Sequence, residues 1–188
     1  MPDAPSLTPG QTVGPFFHDA LPYAGDRDLV PAGSAGAVLL HGHVYDGAGT
    51  PVPDALLELR QAGPDGVVPR TAGSLRRNGS PFTGWGRSST DQTGRYWFTT
   101  LEPATSADQP APFFAVTVFA RGLLHRLFTR AYLPSSEEGL PADPLLAALP
   151  PEQRATLLTA RDADGSLRFD VHLQGPQETV FLRFPRPS

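Results

Sequence analysis

Cysteine and lysine are both missing from this chain of 188 residues, and each absence disfavours a class of function. Without cysteine there is no disulfide bond and no thiolate-bound metal. Without lysine, all 15 basic residues are arginine, and they are outnumbered by acidic residues to give a net charge of −4. A nucleic-acid-binding domain normally carries a surplus of positive charge, so no nucleic-acid partner is expected.

Long hydrophobic runs are also absent from the sequence. No stretch approaches the roughly 20 apolar residues that a transmembrane helix needs. The first ten residues contain no basic region followed by an apolar one, which is the pattern of a secretory signal. The sequence therefore predicts a cytoplasmic protein with no membrane association.

Proline and glycine are plentiful, with 22 and 19 residues, and they favour short strands joined by many turns. One apolar-periodic stretch, at about 143–161, is typical of helix. The strand-like segments cover 37–45, 55–61, 86–90, 96–100, 113–120, 124–133, 167–173 and 179–184. We therefore predict an all-β fold, a two-sheet β-sandwich over 37–188 with a short helical insertion.

The first 36 residues differ in composition from the rest, being rich in proline, glycine, alanine and aspartate. A cluster of apolar residues, at 13–17, interrupts this segment. A free tail would not usually need aromatic side chains, so 1–36 is predicted to be an extended arm that docks on a further surface. Within it, Gly14 allows a backbone to approach a ligand closely and Pro15 fixes the chain direction. A simple bend would explain the same residues.

Two patterns on predicted strands could carry chemistry. His41 and His43 share one face of a strand, and with His172 they could present imidazoles to a metal, although ordinary strand residues are the better interpretation. Arg130 shares a face with Phe128 and Tyr132, and an arginine between aromatic residues must find an anion or carbonyl groups, because burying it unpaired is costly. It could order a substrate pocket or a subunit contact, or it could form an internal salt bridge or lie at the surface with its guanidinium in solvent.

Five segments carry family-like motifs: TPGQTVGPFFH at 8–18, GHVYDGAGTPVPDALLEL at 42–59, GRSSTDQTGRY at 86–96, FARGL with TRAY between 119 and 132, and RFDVHLQG with ETVF between 168 and 181. Together they resemble the intradiol ring-cleavage dioxygenases, and in particular the α chains of the two-chain members. The resemblance spans nearly the whole chain. The hairpin at 42–59 alone is shared with many transthyretin-like β domains.

The resemblance also shows where the sequence departs from the catalytic pattern. In this family the catalytic chain binds ferric iron through two tyrosines and a His-x-His pair on the central strand. Phe113 and Ala115 stand at the places of those two histidines, and the stretches 62–84 and 102–112 contain no tyrosine. Phenyl and methyl groups offer no lone pair to Fe(III). The resemblance therefore implies an α chain without iron ligands, beside a β subunit that holds Fe(III).

The implied reaction is the O2-dependent cleavage of protocatechuate between its hydroxylated carbons to β-carboxymuconate. It belongs to aromatic catabolism through the β-ketoadipate pathway, and the implied enzyme is a higher-order α/β oligomer. In the family, the α-chain arm reaches the partner's active site. Carried over by motif, Thr12, Gly14 and Pro15 line the substrate pocket and Arg130 lies at its edge. Phe16 stands where a tyrosine is common, so a hydrogen bond from that place is not expected.

Two alternatives to this interpretation stay open from the sequence. One is a non-enzymatic transthyretin-like β module used for assembly or adhesion. The other is a self-sufficient enzyme that binds iron through His41 and His43.

Overall fold

The computed structural model describes residues 12–70, 82–106, 109–134 and 143–184. The first eleven residues of the predicted arm lie outside this part of the chain. The elements within it are, in chain order, α1 Phe17–Ala20, β1 Ala37–Tyr45, β2 Leu56–Gln61, β3 Trp85–Ser89, β4 Arg95–Leu101, β5 Phe113–Phe119, β6 Leu127–Tyr132, α2 Pro144–Ala148, α3 Pro151–Ala155, β7 Ala160–Arg161, β8 Leu167–Arg168 and β9 Val171–His172.

These strands form two sheets, which confirms the predicted all-β sandwich. One sheet has the order β4-β1-β8-β7 with β9 also paired to β1, and the other has the order β3-β2-β5-β6. Residues alternate between buried and partly exposed along β1, β4 and β5, as expected when one face of each sheet covers a core. The core draws on both sheets, with Leu40 and Phe98 from the first, Leu57 and Phe114 from the second.

The structure corrects the predicted end of the chain in two places. The helical insertion expected over 143–161 is two five-residue helices followed by β7, because Pro150 separates the helices and Pro151 begins the second one, and proline cannot continue a preceding helix. The strand expected over 179–184 is absent. That stretch makes isolated backbone bonds, in which Thr179 donates to His172 and Leu182 donates to Phe128, instead of a ladder.

The segment before β1 packs against the chain's own sheets. Phe17 in α1 and Leu29 are each at least 95% buried, and the Leu29 amide donates to the carbonyl of Thr99 at 2.8 Å. In the part of the chain that the structure describes, no helix is long and apolar enough to cross a membrane.

Candidate functional site

Phe113 and Ala115, the two residues that the resemblance places at the family's histidine positions, lie on one face of β5. Phe113 and Ala115 point away from the core that the two sheets share, since the residues between and beyond them on β5 are the buried ones there, and Phe113 packs against a second buried cluster that includes Tyr132 and Leu146. Ala115 is paired with Arg60 on β2 and with Arg130 on β6. The Arg130 guanidinium carbon lies 4.1 Å from the centroid of the Phe113 ring. A cation stacked on a phenyl ring occupies this face, and the residues around it do not fit a ferric ion.

Arg130 has partners within the chain. Its Nη1 donates to the hydroxyl of Tyr132 at 2.9 Å and lies 3.8 Å from the carboxylate of Asp143. Its side chain is 32% exposed, whereas that of Asp143 is 4% exposed. The internal ion pair that the sequence left open is therefore present, and it orients the guanidinium over Phe113.

Tyr132 connects this pair to the helical insertion. Its side chain is fully buried, and its hydroxyl donates to Asp143 Oδ1 at 3.2 Å. Burial raises the pKa of Tyr132 to about 12, against a smaller lowering effect from the hydrogen bond with Arg130. The phenol is thus held in its neutral form at ordinary pH, as a donor within this cluster.

Asp143 is the member of this cluster that sequence reasoning missed. It caps α2, accepting from the backbone N–H groups of Leu145 at 2.9 Å and Leu146 at 3.1 Å. The signal was available, because aspartate followed by proline is typical of a helix start. The sequence did not indicate that the same carboxylate would also receive Tyr132 and Arg130.

The described part of the arm begins at Thr12, next to a cleft in the domain. The hydroxyl of Thr12 accepts from the backbone N–H of Gly14 at 3.2 Å, and Gly14 has φ of +79°, a conformation that favours glycine. Thr12 lines a cleft of about 900 Å³ beside the turn between β5 and β6, together with Phe128. Gly14, Pro15 and Arg130 are not among the described residues that line this cleft.

Phe16 lies next in the chain and is 71% exposed. Phenylalanine has no hydroxyl, so it can offer only apolar surface to a neighbouring molecule. Phe17, which follows it, is turned into the chain's own interior and is 4% exposed. The side chains therefore change from exposed to buried between these two neighbouring residues of the predicted arm.

Arg87 on β3 contacts the segment that precedes β1. Its Nη1 donates to the carbonyl of Leu21 at 2.9 Å, while its other nitrogens bond to Glu58 at 2.6 and 3.2 Å. The Arg87 backbone N–H also donates to the carbonyl of Asp26 at 2.7 Å. The contact of Arg87 with Leu21 joins residues 66 positions apart, so no periodic signal in the sequence indicated it.

The three histidines considered as metal ligands have other partners. His41 Nε2 lies 3.2 Å from both the hydroxyl of Ser166 and a carboxylate oxygen of Asp162. His43 lies 3.7 Å from Asp170, and His172 stacks on Tyr45 with ring centroids 5.0 Å apart. Across the residues described, no three His, Cys, Asp or Glu side chains group in a way that could hold a metal ion.

Comparison with known proteins gives a consistent result. Residues 13–175 match a family model described as dioxygenase. The chain is 40% identical to the protocatechuate 3,4-dioxygenase alpha chain of Burkholderia cepacia, over 93% of this chain and 96% of that one. It is 28% identical to the beta chain from the same organism, over 92% of this chain and 78% of that one.

A solved structure resembles the fold as well. The dioxygenase domain of a dioxygenase–carbohydrate-binding protein fusion from Streptomyces sp. SirexAA-E superposes with a TM-score of 0.59 and 25% identity. The match covers 90% of this chain and 99% of that domain. The sandwich described above is therefore similar to a dioxygenase fold over nearly its full extent.

Proposed function

The chain belongs to the dioxygenase family of intradiol ring-cleaving enzymes, and on that basis we propose that it is the α subunit of a protocatechuate 3,4-dioxygenase. With a β subunit, it cleaves protocatechuate with O2 to β-carboxymuconate. The observation that carries the proposal is the close similarity to an alpha chain, 40% over almost the full length, combined with Phe113 and Ala115 at the histidine positions. The family match also favours this function over a non-enzymatic assembly module.

Fe(III) belongs on the β subunit in this proposal. The outer face of β5 carries a stacked Arg130–Phe113 pair in the place where imidazoles would be needed. The chain's own residues shape the substrate pocket and orient the substrate in it, and they take no part in the redox chemistry. The α/β units assemble into a higher-order cytoplasmic oligomer that serves aromatic catabolism by the β-ketoadipate pathway.

Within this assembly, Thr12, Gly14 and Pro15 line the partner's substrate pocket. The contact between Thr12 and Gly14 and the left-handed conformation of Gly14 give the arm a defined bend there. The exposed ring of Phe16 supplies apolar contact beside the pocket. Arg130 orders the pocket edge through its contacts with Phe113 and Asp143.

Co-expression with a β chain tests the proposal. The chain purified alone should contain no stoichiometric iron and should leave protocatechuate intact. Purified with a β chain that carries two tyrosines and a His-x-His pair, it should give an iron-containing complex that consumes protocatechuate and O2 in equal amounts. Bound iron and ring cleavage in the isolated chain, or failure of the two chains to associate, would contradict the proposal.

Arg130→Ala in that complex tests the role of Arg130. We expect kcat/KM for protocatechuate to fall by about three- to tenfold with iron content unchanged, because the guanidinium positions the pocket edge without touching the metal. Arg161→Ala is the matched control, since Arg161 pairs with Glu102 at the exposed edge strand β7 of the other sheet. If kcat/KM of the Arg130→Ala complex equalled that of the Arg161→Ala complex, a role for Arg130 at the pocket edge would be contradicted.

A further inference from the structure

The cleft beside Thr12 has features that the proposed function does not use. Its volume of about 900 Å³ is within the range of roughly 300–1,000 Å³ typical of small-molecule sites. One side of it is formed by Leu124 and Arg126 from the turn between β5 and β6 and by Phe128 from β6. The segment that follows Thr179 forms another side, through Arg183 and Phe184.

The charged side chains that line the cleft are all basic. They are Arg126 and Arg183, and no aspartate or glutamate is found in its described lining. Neither guanidinium has a carboxylate within 4 Å among the described residues, whereas five other arginines of this chain are paired in that way. In a chain with a net charge of −4, the cleft is a local region of positive potential that favours an anion.

The apolar part of the lining is unusually open to solvent. Leu124 is 62% exposed and Phe184 is 65% exposed. Phe184 meets Phe128 edge to face, with ring centroids 5.3 Å apart and planes at 86°, and the Arg126 guanidinium lies 5.1 Å from the Phe128 ring. Two aromatic rings beside an available guanidinium form a surface that suits a flat apolar body with a negative end.

We propose that this cleft binds an aromatic carboxylate, with its ring against Phe128 and Phe184 and its carboxylate at Arg126 and Arg183. The charge of the lining selects the anionic end, because guanidinium–carboxylate hydrogen bonds are the strong polar contacts available there. The choice of acid rests on the proposed function, whose substrate is an aromatic carboxylate. Bound here, beside Thr12 of the arm, the acid is concentrated next to the pocket that the arm serves.

The test uses the full chain alone, so it is independent of whether the β chain supplies iron. Isothermal titration at low ionic strength compares three probes: protocatechuate, benzoate, and catechol, which has the ring and hydroxyls but no carboxylate. Protocatechuate and benzoate should bind with a stoichiometry of one, and catechol about tenfold or more weakly. Raising the salt concentration should weaken the first two, since both arginines are exposed.

Substitutions then assign the site. The double variant Arg126→Gln and Arg183→Gln should lower the affinity for protocatechuate about tenfold, while Arg161→Gln, outside the cleft, leaves it unchanged. Equal affinity for catechol and protocatechuate, or binding that survives the double substitution, would overturn the inference. So would a double variant that loses association with the β chain while the unsubstituted chain binds no acid, because the cleft would then be a docking site for the partner.

Discussion

Replacing Gly42 by alanine should lower the free energy of unfolding by about 4 kcal/mol or more. Gly42 lies in the middle of β1, where the carbonyl of Phe169 turns in to accept the Tyr96 hydroxyl at 2.5 Å. A Cβ added at Gly42 would lie 1.8 Å from that carbonyl oxygen. The obstacle is backbone, so it can be relieved only by displacing the chain between β8 and β9. Urea unfolding followed by circular dichroism measures the loss.

Two further variants separate this clash from a general effect of removing glycine. At Gly165 nothing lies within 4 Å of an added Cβ, although φ is +85°, so Gly165→Ala should cost only about 1–2 kcal/mol of backbone strain. Tyr96→Phe keeps the shape of the side chain but leaves the Phe169 carbonyl without its donor, which should lower the free energy of unfolding by about 1–3 kcal/mol. If Gly42→Ala proves too unstable to purify, Tyr96→Phe still reports on the contact. If the free energy of unfolding of the Gly42→Ala protein lay within 1 kcal/mol of that of the unsubstituted chain, the close contact between Gly42 and the Phe169 carbonyl would be contradicted.

Replacing Asp143 by alanine should lower the free energy of unfolding by about 3 kcal/mol. The substitution leaves two backbone N–H groups of α2 and the buried Tyr132 hydroxyl without their acceptor. It also removes the carboxylate nearest to Arg130. Asp143→Asn keeps an acceptor for the cap and removes only the charge, so we expect about half the effect.

The measurement combines urea unfolding with limited proteolysis. Loss of the cap should make α2 and α3 open more often, so cleavage within 144–155 should accelerate while the sheets remain protected. Glu152→Ala is the matched control, because Glu152 is an exposed acidic residue in the first turn of α3. If the Asp143→Ala and Glu152→Ala proteins had equal free energies of unfolding, the contacts of Asp143 with Tyr132 and Arg130 would not stabilise α2 and α3.

The sequence predicted most strands because their evidence is local. Side chains alternate between core and solvent along β1, β4 and β5, and this period of two is visible without a partner strand. The prediction of a strand over 179–184 was wrong because pairing with a neighbouring strand is not visible in the local sequence. An alternating segment becomes a strand only when a neighbouring edge offers it a full ladder, and here single bonds reach it instead.

By itself, the sequence determined what Phe113 and Ala115 cannot do, because a side chain without lone pairs cannot become a metal ligand in any fold. It likewise determined the sandwich class and the family-like motifs. The tertiary structure alone decided what surrounds Phe113 and which arginines share a cleft: Arg130 stacks on Phe113 and pairs with Asp143, while Arg126 and Arg183 both line one cleft. Alternation tells which face a residue occupies, but its partners depend on which distant segment reaches that face, and no local pattern records such a contact.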